Sequence, residues 1–88
     1  MGMVVDDRIG FFRALIRAKG SCIFLYRRLK PEDMDDMYSR RFVRPVRLVR
    51  TKKGDIVLHA HDYDRGEMRS FRIERIDVVL SLGFGEDI

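Results

Sequence analysis

Arginine recurs at every third position, Arg69, Arg72 and Arg75, within a run that otherwise alternates like a β-strand. Successive strand residues face opposite sides of a sheet, so this spacing puts guanidiniums on both faces of one strand. A strand that is only structural seldom carries so much charge beside core residues. The run closes a longer pattern that begins at Arg44. Residues 46–49 and 56–60 are apolar strand-like segments on either side of a basic turn containing Lys52, Lys53 and Gly54. A second turn over residues 63–66 leads into the arginine strand, so two hairpins follow one another directly.

The remaining segments complete a small β-fold with one helix. Asp6 or Asp7 is placed to cap a helix over residues 7–18, in which Ile9, Phe12, Leu15 and Ile16 form an apolar stripe with Phe11 beside it. Arg8, Arg13 and Arg17 fall away from the stripe or on its flanks. Lys19 supplies a cation for the helix end and Gly20 a left-handed turn. Residues 21–29 read as the first strand, with Cys22, Phe24 and Tyr26 on one side. Residues 32–38 are an acidic connector, a loop or a single helical turn. Residues 41–50 form the second strand, where Pro45 indicates an edge position or a bulge. Strands over 56–62, 68–74 and 77–82 follow, and 83–88 is a short tail.

Ile56, Leu58, Ala60, Phe71, Ile73, Val78 and Leu80 are the inward positions this alternation predicts, with Arg69 and Arg75 leaving the inward row at its two ends. The expected fold is mainly β with an N-terminal α-helix: a single domain over residues 1–88, closed over 21–82 as a small five-stranded SH3/Sm-like barrel. Closure would remove strand edges that a small domain has few other ways to protect.

The chain has 88 residues, 36% of them charged and 45% hydrophobic, which suits a folded domain with a modest core and little room for a deep enzyme cleft. The net charge of +4 is unevenly distributed. Residues 1–50 hold 12 Lys/Arg against 6 Asp/Glu, and residues 51–88 hold 6 against 8. The densest basic run is Arg40, Arg41, Arg44, Arg47, Arg50, Lys52 and Lys53, a footprint for a polyanion such as nucleic acid, or else a solubilising surface. One cysteine, Cys22, cannot form an internal disulfide, which points to a reducing, cytoplasmic compartment, and its place in a strand-like run suits a small buried hydrophobe. No apolar run is long enough to span a bilayer, and residues 1–7 have none of the features of a signal peptide.

The chain resembles the WYL domain family over residues 10–82. Tyr26 closes the first strand. Val43, Pro45 and Leu48 match a proline–leucine strand, and Ile56-Val57-Leu58 with Ala60 occupies the position of the Trp-Tyr-Leu triplet. Arg69-x-Phe71-Arg72-Ile73-x-Arg75-Ile76 matches the family's R-x-F-R-hydrophobic-D-R-I string, with Glu74 in place of the aspartate. Only the leucine of the triplet survives, with Ile56 and Val57 standing where the family has Trp and Tyr. The resemblance implies a small β-barrel that serves as a sensor module, binding nucleic acid or nucleotide-like ligands through a basic groove. WYL domains usually sit in bacterial transcription regulators behind a winged-helix DNA-binding domain. This chain resembles a stand-alone WYL domain, a fragment of a larger regulator or a small bacterial or phage protein, which implies a helix-turn-helix partner protein.

The ligand-binding candidates are Arg65, Arg69, Arg72 and Arg75, because guanidinium is permanently charged and its planar fork fits phosphate. Arg44, Arg47, Lys52 and Lys53 extend that set along the basic segment. Cross-strand pairing of the arginines with Asp62, Asp64, Glu67 and Glu74 is the alternative use of these charges. Tyr26 and Tyr63 are candidate platforms for bases, and Tyr26 equally suits a core tyrosine. His59 and His61 share a strand face, but His59-x-His61-Asp62-x-Asp64 has no closed metal-ligand spacing, so no metal, no cofactor and no catalytic residue is expected. The leading expectation is a non-enzymatic regulatory module that binds single-stranded nucleic acid or a nucleotide. The alternatives are an Sm-like homo-oligomerisation module without its own ligand and a small metal-dependent hydrolase using His59 and His61.

Overall fold

The computed structural model describes residues 5–30 and 37–83. Helix α1 (Val5–Arg17) is followed by β1 (Ser21–Arg27), β2 (Tyr38–Arg50), β3 (Ile56–Asp62), β4 (Glu67–Arg72), a 3-10 turn (Ile73–Arg75) and β5 (Ile76–Gly83). The acidic connector over 32–38 lies mostly outside the described residues, as does the tail beyond Gly83. Asp6 and Asp7 fall inside the first turn of α1 and do not precede it as caps. At the other end the left-handed residue is Lys19, with φ of 54°, and not Gly20. Gly20 has a packing role: a Cβ there would stand 2.8 Å from the Gly83 carbonyl oxygen and closer still to Leu15. Gly54 and Gly66 hold the two hairpin turns at φ of 94° and 65°.

The strands form one antiparallel sheet in the order β4-β3-β2-β1-β5. The sheet is open, with β4 and β5 as its edges, so the expected closed barrel is not formed. The physical reason lies in the connection: after Arg72 the chain leaves the ladder in a 3-10 turn, and β5 then pairs with β1. The sheet nevertheless curls, because Phe71 on β4 meets Phe24 and Tyr26 on β1 at ring distances of 5.3 and 5.1 Å, both edge-to-face. Long β2 makes that curl. Its first half pairs with β1 up to Val43 and its second half pairs with β3 from Val43 onward. Pro45 sits at the register shift that follows, so the bulge reading holds and the edge reading does not, β2 being central.

The concave side carries the core: Phe12 and Leu15 from α1, Cys22, Phe24 and Tyr26 from β1, Val43 from β2, Leu58 and Ala60 from β3, and Phe71, Ile73 and Ile76 beyond them. The strict alternation on β3 follows the sequence reading. On β5 it does not: Leu80 is half exposed, and Val79 packs against the core instead. Two register shifts against β1, next to Phe24 and Leu25, break the period of two. The side chain of Val78, also expected inward, is outside the described set.

Candidate anion-binding site

An open concavity of about 510 Å³ lies where the curl brings β1, β2, β4 and the 3-10 turn together. Tyr26, Arg41, Arg69, Phe71 and Arg75 line it, with Glu67, Met68 and Ser70 along the β4 side. Among the described residues, three guanidiniums thus share one hollow with a single carboxylate.

Arg41 reaches it because it keeps the inward phase of Val43 and Pro45 on β2. Its Nη1 lies 3.3 Å from Asp62 Oδ2, its Nε donates to Ser39 Oγ at 3.1 Å, and its head is 5.7 Å from the Phe71 ring centre. Burial lowers the Arg41 pKa from its ordinary value; the positive charge of Arg65 pushes the same way, Asp62 opposes, and Arg69 adds to the lowering. Asp62 is fully buried and is the organising carboxylate. It accepts from Arg41 and from Arg65 Nη1 at 3.2 Å, and from the backbone N–H groups of Asp64 and Arg65 at 3.1 and 3.3 Å. A buried carboxylate survives only when it is paired and hydrogen-bonded in this way.

Arg69 stands at the rim and meets Glu67 at 2.9 Å, both side chains well exposed, so the pair is weak and open to exchange for another anion. Arg75 is fixed: Nε donates to the Arg27 carbonyl at 2.8 Å and the guanidinium carbon lies 4.4 Å from the centre of the Tyr26 ring. Tyr26 belongs to the core and also lines the hollow. One ring face is covered by Arg75, Phe24 and Phe71 crowd the ring, and the hydroxyl accepts from the Arg72 N–H at 2.9 Å.

The other expected site residues lie elsewhere. Arg72 points away from the hollow to Asp55 at 3.0 Å and Glu74 at 3.8 Å. Arg65 is held on Asp62 and does not line the hollow. Arg44, Arg47, Lys52 and Lys53 are exposed, and none of them lines it either. His59 Nδ1 is 3.0 Å from Ser70 Oγ, and His61 packs edge-on against Tyr63. Among the described residues no group of three or more His, Cys, Asp or Glu side chains is gathered for a metal ion, and no helix is long and apolar enough to cross a membrane. Sequence reasoning missed Arg41 and Asp62 as members of the site. Their shared inward parity, with Val43 and with Ala60, is the signal that could have found them.

A search of curated proteins finds no match. Among solved structures, the proteasome accessory factor B/C (PafBC) of Arthrobacter aurescens superposes with a TM-score of 0.63 at 23% identity, over 99% of this chain. The chain spans 13% of the length of that protein, and the likeness is one of fold. The WYL domain family model matches residues 12–80, from the second half of α1 through β1 to β4 and the arginine string into β5. The chain therefore belongs to the WYL domain family.

Proposed function

We propose that this WYL domain is a non-enzymatic sensing module of a regulatory system, and that the concavity binds the phosphate of a nucleotide or of single-stranded nucleic acid. The observation that carries this reading is the convergence of Arg41, Arg69 and Arg75 on one hollow lined by a single carboxylate, Glu67. Arg41 and Arg75 are held from behind, by Asp62 and by Tyr26 with the Arg27 carbonyl, so their heads are ordered before a ligand arrives. Arg69 is the mobile contact, free to leave Glu67 for phosphate. A bound anion would also offset the positive charge of Arg69, which adds to the lowering of the Arg41 pKa that burial and Arg65 cause first. The free, buried Cys22 suits a reducing cytoplasm, and a separate helix-turn-helix protein is the kind of partner such a sensor would inform.

The test is binding of a fluorescent oligonucleotide and of a nucleoside triphosphate at low salt. Arg69→Ala should weaken both, and the dependence on salt should fall by about one released ion. Arg72→Ala should change little, since Arg72 faces away. Absence of binding by the wild-type protein at low salt would overturn the reading, as would equal losses in the two variants. One observation favours an interaction module instead: Leu80 and Leu82 are half exposed on edge strand β5. A concentration-independent oligomer without anion affinity would support that second reading.

A further inference from the structure

The convex face of the sheet carries an aromatic pair that the concavity does not use. Phe42 on β2 and Tyr63 in the turn after β3 are 38% and 41% exposed, with ring centres 4.4 Å apart and planes tilted by 36°. The pair is built in: the Tyr63 N–H donates to the Phe42 carbonyl at 3.0 Å, and His61 braces the Tyr63 ring edge-on at 5.3 Å. Exposed rings in contact with one another form a contiguous apolar patch of the kind that marks an interaction site.

The charge around the pair says what that something is. Arg40 and Arg44 flank Phe42 on the same strand face, and both are exposed. The Cα partners of Arg40, Phe42 and Arg44 on the neighbouring strands are Leu25, Ile23 and His61, with no carboxylate among them. Neither arginine forms an ion pair among the described residues, in contrast to Arg27, Arg41, Arg65, Arg69 and Arg72. Aromatic rings between exposed cations suit a strand of bases on a phosphate backbone. A second copy of the chain fits worse, because a two-fold contact through this face would bring the same arginines toward one another.

We infer that Phe42 and Tyr63, with Arg40 and Arg44, form a base-stacking surface for single-stranded nucleic acid. The surface meets the concavity at β4: Met68 lines the rim of the hollow and is the Cα partner of His61, which touches Tyr63. One strand can therefore place a phosphate among Arg41, Arg69 and Arg75 and carry its bases over Met68 onto the aromatic pair. This inference deepens the reading of the concavity as a phosphate site by naming single-stranded nucleic acid over a free nucleotide. It also supplies stacking beyond Tyr26, one ring face of which Arg75 covers.

The experiment compares an oligothymidylate of about fifteen nucleotides, an abasic deoxyribose-phosphate strand of equal length, and inorganic pyrophosphate as a probe of the hollow alone. The wild type should bind oligothymidylate at least about tenfold more tightly than the abasic strand. Phe42→Leu/Tyr63→Leu, which keeps apolar volume while removing the rings, should erase that difference, leave pyrophosphate binding intact and leave the salt slope unchanged. Equal wild-type affinity for the oligothymidylate and abasic strands overturns the inference without any variant having to fold. So does a folded double variant that still prefers oligothymidylate, or a wild-type dimer that the double variant abolishes. Loss of pyrophosphate binding in the wild type would instead count against the hollow, with the stacking surface judged separately by the two strands.

Discussion

Arg41 and Asp62, separated by 21 residues in sequence, meet at 3.3 Å beneath the concavity, where the carboxylate is fully buried and the arginine side chain is 15% exposed. The carboxylate joins two cations and two backbone amides of the turn from Asp62 to Gly66, so one side chain sets both the hairpin and the attitude of the innermost arginine.

Removing that carboxylate should therefore damage stability and binding together. Asp62→Ala should cost about 2–4 kcal/mol in urea denaturation, below the full cost of breaking a wholly enclosed pair because Arg65 can turn to water. Asp62→Asn keeps an acceptor for the turn amides and should cost less. A loss under about 1 kcal/mol for the alanine variant would show that the turn and Arg41 hold their places without it.

Phe71 is 2% exposed and joins the two ends of the curl through its contacts with Phe24 and Tyr26. Phe71→Ala should cost about 3–5 kcal/mol. A loss below about 1 kcal/mol would mean that the curl is held by other contacts.

Burial pushes the Cys22 thiol from 9.0 up to about 12. At neutral pH the thiol is protonated in both the folded and unfolded chain and makes no difference to stability. Above about 9 the unfolded chain loses a proton that the folded chain keeps, so stability should fall as pH rises toward 12. Cys22→Ala should show a shallower alkaline fall. In the native protein a thiol reagent should react only after denaturant is added, and prompt reaction at pH 8 would contradict the burial.

Arg13 and Arg17 are exposed helix cations and make the right control for diffuse charge. Arg8 does not, because its Nη1 donates to the Ile73 carbonyl at 3.0 Å and ties α1 to the 3-10 turn. Arg13→Ala/Arg17→Ala should leave oligonucleotide affinity nearly unchanged, whereas Arg69→Ala should weaken it and flatten its salt dependence. Equal losses would reduce the site to general basicity.

Much of the chain was legible from residue order alone. The apolar stripe of α1, the limits of β3, the two glycine turns and the inward row Leu58, Ala60, Phe71 and Ile73 follow from periodicity and from turn chemistry. The arginine string was enough to indicate the family. These properties are local: each depends on neighbours within a few residues.

The site was legible only in part, because parity names a face and not a place. Arg69 and Arg72 are neighbours in one strand, yet one enters the hollow and the other pairs with Asp55 on the far side. The arginine that joins Arg69 and Arg75 is Arg41, brought there by a curl that depends on β2 changing partners at Val43. Whether the sheet closed, which residues of β5 turned inward and which ring Arg75 would cover depended on register shifts and on a 3-10 turn. A one-residue slip reverses every following side chain, and such slips are settled by packing between strands far apart in sequence. Residue order determined the strands and their charges; tertiary structure alone decided which charges meet.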